Sequence, residues 1–330
     1  GNGRKKFKIN LLPEFMFTEK TEPILKKIQD VHIEIDNLRN EIKSSTKESP
    51  QDKYTQAIQR LYEEGLSAEG IKQLFEKGNI GHKITRNRFV AQPMEGNCAD
   101  KGGSVSQLTI NKYKNLAEGN WGIIIVEALS VTPTSLARKN ALVLNEKNLD
   151  GFKKLVNEIK LINPEALILF QITHSGSISN PNFSEQVAIS PLSEGRLLST
   201  DEIEKIKEGF VKCARLAEEA GADGIDYKSC HGYLGAEILR PMNIRNDKWG
   251  GSWENRTRFL REGIEEISAN RKRNDFLIGC RISMYEGMRG CEGTSAPEEL
   301  IEDLSEQIAL LQLLNKLKMD YVNISAGIPA

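Results

Sequence analysis

Gly224-Ile225-Asp226-Tyr227-Lys228-Ser229-Cys230-His231-Gly232-Tyr233-Leu234 is the stretch on which the reading of this chain turns. Its first five residues, with Ile225 and Tyr227 on either side of Asp226, form a short β-rich run, and a strand is expected over Gly224 to Lys228. Lys228, His231 and Tyr233 then leave the C-terminal end of that strand within six positions. Two donors three residues apart suit the grip of one carbonyl oxygen, and a phenol two residues further on suits delivery of a proton to a neighbouring carbon.

Outward from this strand the pattern repeats. Strands are expected over Arg88 to Gln92, Gly122 to Glu127, Ala166 to Thr173, Leu277 to Ser283 and Tyr321 to Ser325, with amphipathic helical segments between them. One helix is expected to open at Thr200-Asp201-Glu202, to face inward with Ile203, Ile206, Phe210, Cys213, Leu216 and Ala217, and to end at Gly221. Strands that are apolar on both faces and alternate with helices make a parallel sheet. No G-x-G-x-x-G follows a strand and no G-x-x-x-x-G-K-[ST] occurs, so the phosphate turns of the open doubly wound fold are missing. That favours an α/β fold of the (β/α)8 TIM-barrel type, of which about six strands are present. Glu95, Glu127, His174, Lys228, His231 and Glu286 all fall just past strand C-termini, where a barrel builds its active site.

Further motifs appear in a fixed order along the chain. They are Leu74-Phe75-Glu76, Asn87-Arg88, Gln92-Pro93-Met94, Gln171-Ile172-Thr173-His174-Ser175-Gly176, the Lys228–Leu234 run, Gly250-Gly251-Ser252-Trp253-Glu254-Asn255-Arg256 with Arg258-Phe259, and Gly279-Cys280-Arg281-Ile282-Ser283. With these, residues 74 to 330 resemble the old yellow enzyme family of FMN-dependent NAD(P)H oxidoreductases. The resemblance implies an FMN over the C-terminal mouth of the barrel. Pro93, Met94, Glu95 and Ala128 would lie against the isoalloxazine, Gln171 would bond its pyrimidine edge, and Arg281 would place positive charge near N1 and O2. It implies hydride transfer from NADH or NADPH to the flavin and on to an electron-poor acceptor such as an α,β-unsaturated carbonyl or thioester. His231 and Lys228 would hold the acceptor's carbonyl and Tyr233 would give the proton. Two alternatives stand beside this. A flavin-dependent amine dehydrogenase or demethylase would want an aromatic cage, for which 6% aromatic residues offer few candidates. A non-catalytic, assembly-dependent subunit is the other.

The chain departs from the family in three places. Lys228 stands where histidine is usual, exchanging a planar donor for a flexible ammonium. Such a cation favours a carboxylate, thioester or enolate-like oxygen, unless it turns to solvent or to Glu127 or Asp226. Glu95 follows Pro93-Met94 where Thr or Cys is common, and is expected either to turn toward Lys228 or another base or to cap backbone N–H groups of its own loop. The sequence ends just past the sixth strand, so strands seven and eight are expected from another chain or from a longer protein. An iron-sulfur cluster is not encoded in this segment.

Composition bounds the remaining classes. Lys plus Arg number 45 against 46 Asp plus Glu, a formal charge of −1, which gives no general pull toward nucleic acid. No run reaches the roughly 18 apolar residues of a membrane helix, and the start Gly1-Asn2-Gly3-Arg4-Lys5-Lys6 leads into no signal-peptide core. The five cysteines contain no C-x-x-C pair and no metal-ligand spacing, which reads as reduced thiols in a cytoplasm and no metal site. Residues 1–72 read as a helical extension preceding the barrel of residues 73–330. Ile24, Ile28, Val31, Ile35, Leu38 and Ile42 form a heptad seam after Pro23, and Tyr54, Ile58 and Leu61 mark a second helix beyond a polar break. The hairpin is expected to pack on itself and the main domain or to act as a dimerising arm. The expected partners are a small-molecule substrate and, through the hairpin or an open barrel edge, a second copy or a completing chain.

Overall fold

In the computed structural model, residues 73–327 are described; the expected helical hairpin lies outside them. The short strands β1 (Gly78–Ile80) and β2 (Lys83–Thr85) form an antiparallel hairpin. Strand β3 (Val90–Ala91), helix α1 (Gln107–Glu118), β4 (Ile123–Ser130), α2 (Leu149–Ile162) and β5 (Leu167–Thr173) follow. A small parallel pair, β6 (Val187–Ala188) and β7 (Arg196–Leu197), precedes α3 (Thr200–Glu219) and β8 (Gly224–Ser229). The chain continues through the short α4 (Leu234–Glu237), α5 (Trp253–Asn270), β9 (Leu277–Ser283), α6 (Ser305–Lys316) and β10 (Tyr321–Ser325).

Six strands form one parallel sheet in the order β10-β9-β8-β5-β4-β3. Each barrel strand lies beside the one before it in sequence, as in a singly wound barrel and unlike the reversed order of a doubly wound sheet. The architecture is an α/β half-barrel. The six strands fall where the sequence places them. The larger differences in extent are that the first strand shrinks to Val90–Ala91 and that β4 runs on to Ser130; β4 and β5 also start one residue later and β8 ends one residue later than expected. The extension goes with a bulge, because the pairing of β4 with β5 steps from Val126↔Phe170 to Leu129↔Ile172.

The helices follow from capping and periodicity. Ser199 and Glu202 form a reciprocal capping box at the start of α3, and Ile203, Phe210, Cys213, Leu216 and Ala217 are buried along its inner face. Ser106 and Ser252 cap α1 and α5 by accepting from the backbone N–H three residues on.

The core has two layers. The larger packs helices on the sheet through Phe152, Phe170, Phe210, Tyr227, Trp249 and Phe259. The smaller lies inside the half-barrel, where Ile80, Ile123, Ile125, Leu167, Leu169 and Leu277 meet at its N-terminal end. Above them Tyr321 crosses the interior and donates to Ile225 O at 2.9 Å. Its ring needs the glycine at 279, because a Cβ there would stand 2.1 Å from ring carbons. The inner surface thus changes along the strands from aliphatic to polar, ending with Lys228 paired in register with Arg281, and Ser283 with Ser325.

Candidate active site

The site is assembled at the C-terminal ends of β3, β4, β8, β9 and β10. After β3 the loop through Pro93, Met94, Glu95 and Gly96 is pinned from two sides. Lys112 Nζ of α1 donates to Met94 O at 2.5 Å and to Glu127 Oε1 at 2.9 Å, and the Gly96 N–H donates to Glu127 Oε2 at 2.9 Å. A Cβ on Gly96 would lie 2.9 Å from Cys98 Sγ, 3.1 Å from Lys112 Nζ and 3.2 Å from Glu127 Oε1, so a larger residue would have to push these side chains aside. Glu127 is buried at the β4 bulge, and its own N–H donates to Tyr113 Oη at 2.6 Å. The carboxylate expected at the rim for chemistry therefore serves as the loop's anchor.

Anchored this way, Glu95 reaches the end of β8. Its Oε1 accepts from Tyr233 Oη at 2.9 Å, and its Oε2 accepts from Arg138 Nε at 2.7 Å. Lys228 Nζ lies 3.9 Å from Oε1 and 3.2 Å from the centroid of the Tyr233 ring, in cation–π contact. Lys228 turns neither to solvent nor to its other two candidate partners. Lys112 takes Glu127, and Asp226 accepts from Gln171 Nε2 at 2.7 Å. Arg138, on the loop after β4, had no signal in strand-end spacing. What does call for it is charge: a carboxylate set among donors at a pocket mouth favours a second cation.

Burial sets the protonation states. It pushes the Lys228 ammonium below its ordinary value, while the Glu95 charge pulls the other way. It pushes the Tyr233 phenol well up, and the neighbouring Glu95 carboxylate adds to that, so the phenol keeps its proton throughout the physiological range. His231 is brought to the same region with its backbone at φ 61°. Its Nε2 lies 2.5 Å from Ser325 Oγ. Desolvation, then the Arg281 and Lys228 charges, lower its pKa to about 4, leaving a neutral imidazole.

Two other strand-end residues are scaffold. His174 is buried, its Nδ1 accepting from the Gly176 N–H at 3.1 Å and lying 3.1 Å from Ser135 Oγ, and burial lowers its pKa to about 3. Glu286 accepts from the Gly232 N–H at 3.1 Å and from Arg240 Nε at 2.8 Å, fixing the turn that presents His231 and Tyr233.

The same face suits one end of a flavin. Arg281 Nε is buried without a partner, an orphaned donor beside Lys228 on the inner wall. Met94 is 73% exposed at the rim, an apolar side chain available to cover a ring, while Pro93 and Ala128 are buried beneath and beside it. Gln171 is buried with its amide nitrogen committed to Asp226. These residues fit the ring portion of FMN. Among the described residues no cluster of three or more His, Cys, Asp or Glu is arranged to hold a metal ion, and no helix is long and apolar enough to cross a membrane.

The parallel half-barrel gathers a buried lysine, a buried phenol and an arginine with an unpartnered Nε at its C-terminal rim, the place where barrels of this class build their active sites. The chain belongs to the NADH:flavin oxidoreductase / NADH oxidase family, whose profile matches residues 73–326; FMN is that family's cofactor and NAD(P)H its reductant. It is 33% identical over 264 residues to an NADPH dehydrogenase of Clostridium acetobutylicum, covering 77% of this chain and 74% of that protein. It is 36% identical over 267 residues to an NADH oxidase of Thermoanaerobacter brockii, covering 77% of this chain but 39% of the relative. The fold is similar to that of the old yellow enzyme homologue from Zymomonas mobilis, with a TM-score of 0.66, 23% identity, and 77% of this chain and 73% of that one covered.

Proposed function

We propose that this chain carries the site of an FMN-dependent NAD(P)H oxidoreductase that reduces an electron-poor acceptor, such as an α,β-unsaturated carbonyl or thioester. The observation that carries this reading is the convergence of Lys228, Tyr233 and Glu95 at one strand end, next to the orphaned Arg281 donor. When bound, FMN supplies the hydride relay between NAD(P)H and acceptor. Arg281, with Gln171 and the Pro93–Met94 wall, would hold the ring and place a positive charge at its pyrimidine end.

The chain's own groups handle the acceptor. Lys228 is a buried donor where the family usually carries histidine, and a buried ammonium stabilises the negative charge that develops on a carbonyl oxygen during reduction. A neutral His231, held by Ser325, adds a second polar contact without adding charge. Tyr233, kept protonated by its surroundings, is the proton donor to carbon. A cationic Lys228 favours acceptors whose oxygen carries or gains full negative charge, such as a carboxylate, a thioester or the enolate-like oxygen of an enone under reduction.

The test begins with the visible spectrum of the purified native protein and the identity of any cofactor released on denaturation. Bound FMN that is bleached by NADH or NADPH, then restored by an enone or enoyl thioester, is the expected result. A full-length protein that stays colourless in excess FMN would overturn the reading.

A further inference from the structure

Tyr233 is 8% exposed, yet a proton donor must be recharged after every turnover. The structure offers a route. The phenol's hydroxyl donates to Glu95 Oε1 at 2.9 Å, and the other oxygen of the same carboxylate is 2.7 Å from Arg138 Nε, on a side chain that is 54% exposed. One carboxylate therefore bridges a buried phenol and the solvent-facing edge of the pocket. We propose that Glu95 is the proton relay through which Tyr233 is reloaded from water. This rests on the assignment of Tyr233 as the donor to carbon.

The step balances as follows. The Tyr233 O–H bond breaks as its proton moves to the acceptor carbon, leaving a phenolate. A water at the mouth then gives a proton to Glu95, the Glu95 O–H bond breaks as that proton passes to the phenolate oxygen, and the hydroxide left behind is neutralised by bulk solvent. Phenol, carboxylate and Arg138 return to the arrangement seen here. A buried phenolate is a far stronger base than a carboxylate, so transfer from Glu95 to Tyr233 runs downhill.

The charges around the relay are suited to this traffic. Glu95 is faced by Arg138 from the loop after β4 and by Lys228 and Tyr233 from the end of β8. Its own loop is tied to Lys112 through Met94 O and to Glu127 through the Gly96 N–H. Tyr233 also feels Cys230 and Arg138, and Lys228 feels Cys230, Arg281 and Asp226. The Lys228 ammonium above the ring would stabilise the phenolate for the interval before reloading. Arg138 holds the carboxylate in place with a charge-assisted bond and leaves Oε1 aimed at the phenol. Glu95 acts through Tyr233 and is a positioning and relay residue rather than a donor to substrate.

The test reads the relay directly. In the native protein, exchange of the Tyr233 hydroxyl proton with solvent, followed by NMR and assigned with Tyr233→Phe, is expected to slow by about tenfold or more in Glu95→Gln. In turnover, Glu95→Gln should slow repeated cycles more than the first reoxidation, because Tyr233 enters the first cycle already loaded. Glu95→Ala should recover repeated turnover on addition of formate or acetate, which a merely structural loss would not allow. Unchanged hydroxyl exchange, or equal slowing of first and later cycles with no rescue, would overturn the relay. If Tyr233→Phe left reoxidation at the wild-type rate, it is the assignment of Tyr233 as donor that would fail, and the exchange measurement would still decide whether Glu95 connects the phenol to water.

Discussion

The two ends of the half-barrel use the same residue types to opposite effect. At the N-terminal end, Asp223 accepts from Lys83 Nζ at 3.3 Å, Lys160 Nζ at 2.8 Å and the Ile168 N–H at 2.9 Å. Asp275 shares Lys83 at 2.9 Å, and Asp320 accepts from the Ile278 N–H at 2.8 Å. The β1–β2 hairpin closes over this end, with Gly81 N–H donating to Asp320 O at 3.2 Å. At the C-terminal end, Thr173 Oγ1, Ser229 Oγ, Arg281 Nε and both carboxyl oxygens of Glu292 are buried with no hydrogen-bond partner, against Asn163 Oδ1 and Arg273 Nε at the N-terminal end. Saturated polar groups hold strands in register, whereas unsaturated ones keep capacity for a ligand. Stability resides at one end and chemistry at the other.

The sharpest way to break that contrast is Tyr233→Phe. It removes one hydroxyl and should slow reoxidation by the acceptor by about a hundred- to ten-thousandfold while leaving flavin reduction by NAD(P)H intact, as separate half-reactions in stopped flow would show. Equal loss in both half-reactions would take the phenol out of its role. Arg281→Ala comes next. Losing one charge-assisted bond to the ring should weaken FMN binding by about ten- to a hundredfold in Kd, measured by fluorescence titration, with little change in melting temperature because Nε has no protein partner to lose. An unchanged Kd would detach Arg281 from the flavin.

At the other end the expected outcome reverses. Asp223→Ala strands Lys83 and Lys160 and leaves the Ile168 N–H unpaired, which should cost about 2 kcal/mol in urea unfolding. Turnover at a temperature where the variant remains folded should match the wild type. A variant that lost turnover at unchanged stability would mean that the two ends are coupled.

How far the sequence could be read follows the same division. Of the six barrel strands, β4, β5 and β9 were visible as apolar runs buried along nearly their whole length, whereas β3 and β10 are only partly buried and β8 carries Asp226 and Lys228; the C-termini of these strands located the rim. The β1–β2 hairpin was not, because three-residue strands around Gly81-His82 carry no periodicity. The β4 bulge adds one residue without any mark in composition, and it is what places Glu127 against the 95-loop. At the rim, spacing brought out Glu95, Glu127, His174, Lys228, His231 and Glu286 alike. Partners separate them: Glu127, His174 and Glu286 are consumed by backbone N–H groups and neighbouring side chains, while Glu95, Lys228 and Tyr233 meet one another, with Arg138 on the outer oxygen of Glu95. Position along a strand is a local property. Whether a polar group is spent depends on residues brought in from elsewhere, such as Lys112, Ser135 and Arg240.

The smallest effect is a slope. Glu292 lies beside Glu286 on the loop after β9, and burial, followed by the Glu286 charge, raises its pKa well above the ordinary carboxylate value, against the opposing pull of Arg240 and Ser283. In the folded protein the carboxyl is therefore protonated over a range where the unfolded chain has released its proton. The native state binds more protons there, so stability falls as pH rises above the unfolded value near 4.5, by at most about 1.4 kcal/mol per pH unit, until the folded pKa is passed. Glu292→Gln keeps the shape and removes the titration. Urea unfolding at a series of pH values should show the two proteins differing by a constant amount below pH 4.5 and the variant gaining steadily on the wild type above it. Parallel profiles would show that Glu292 is ionised in the fold.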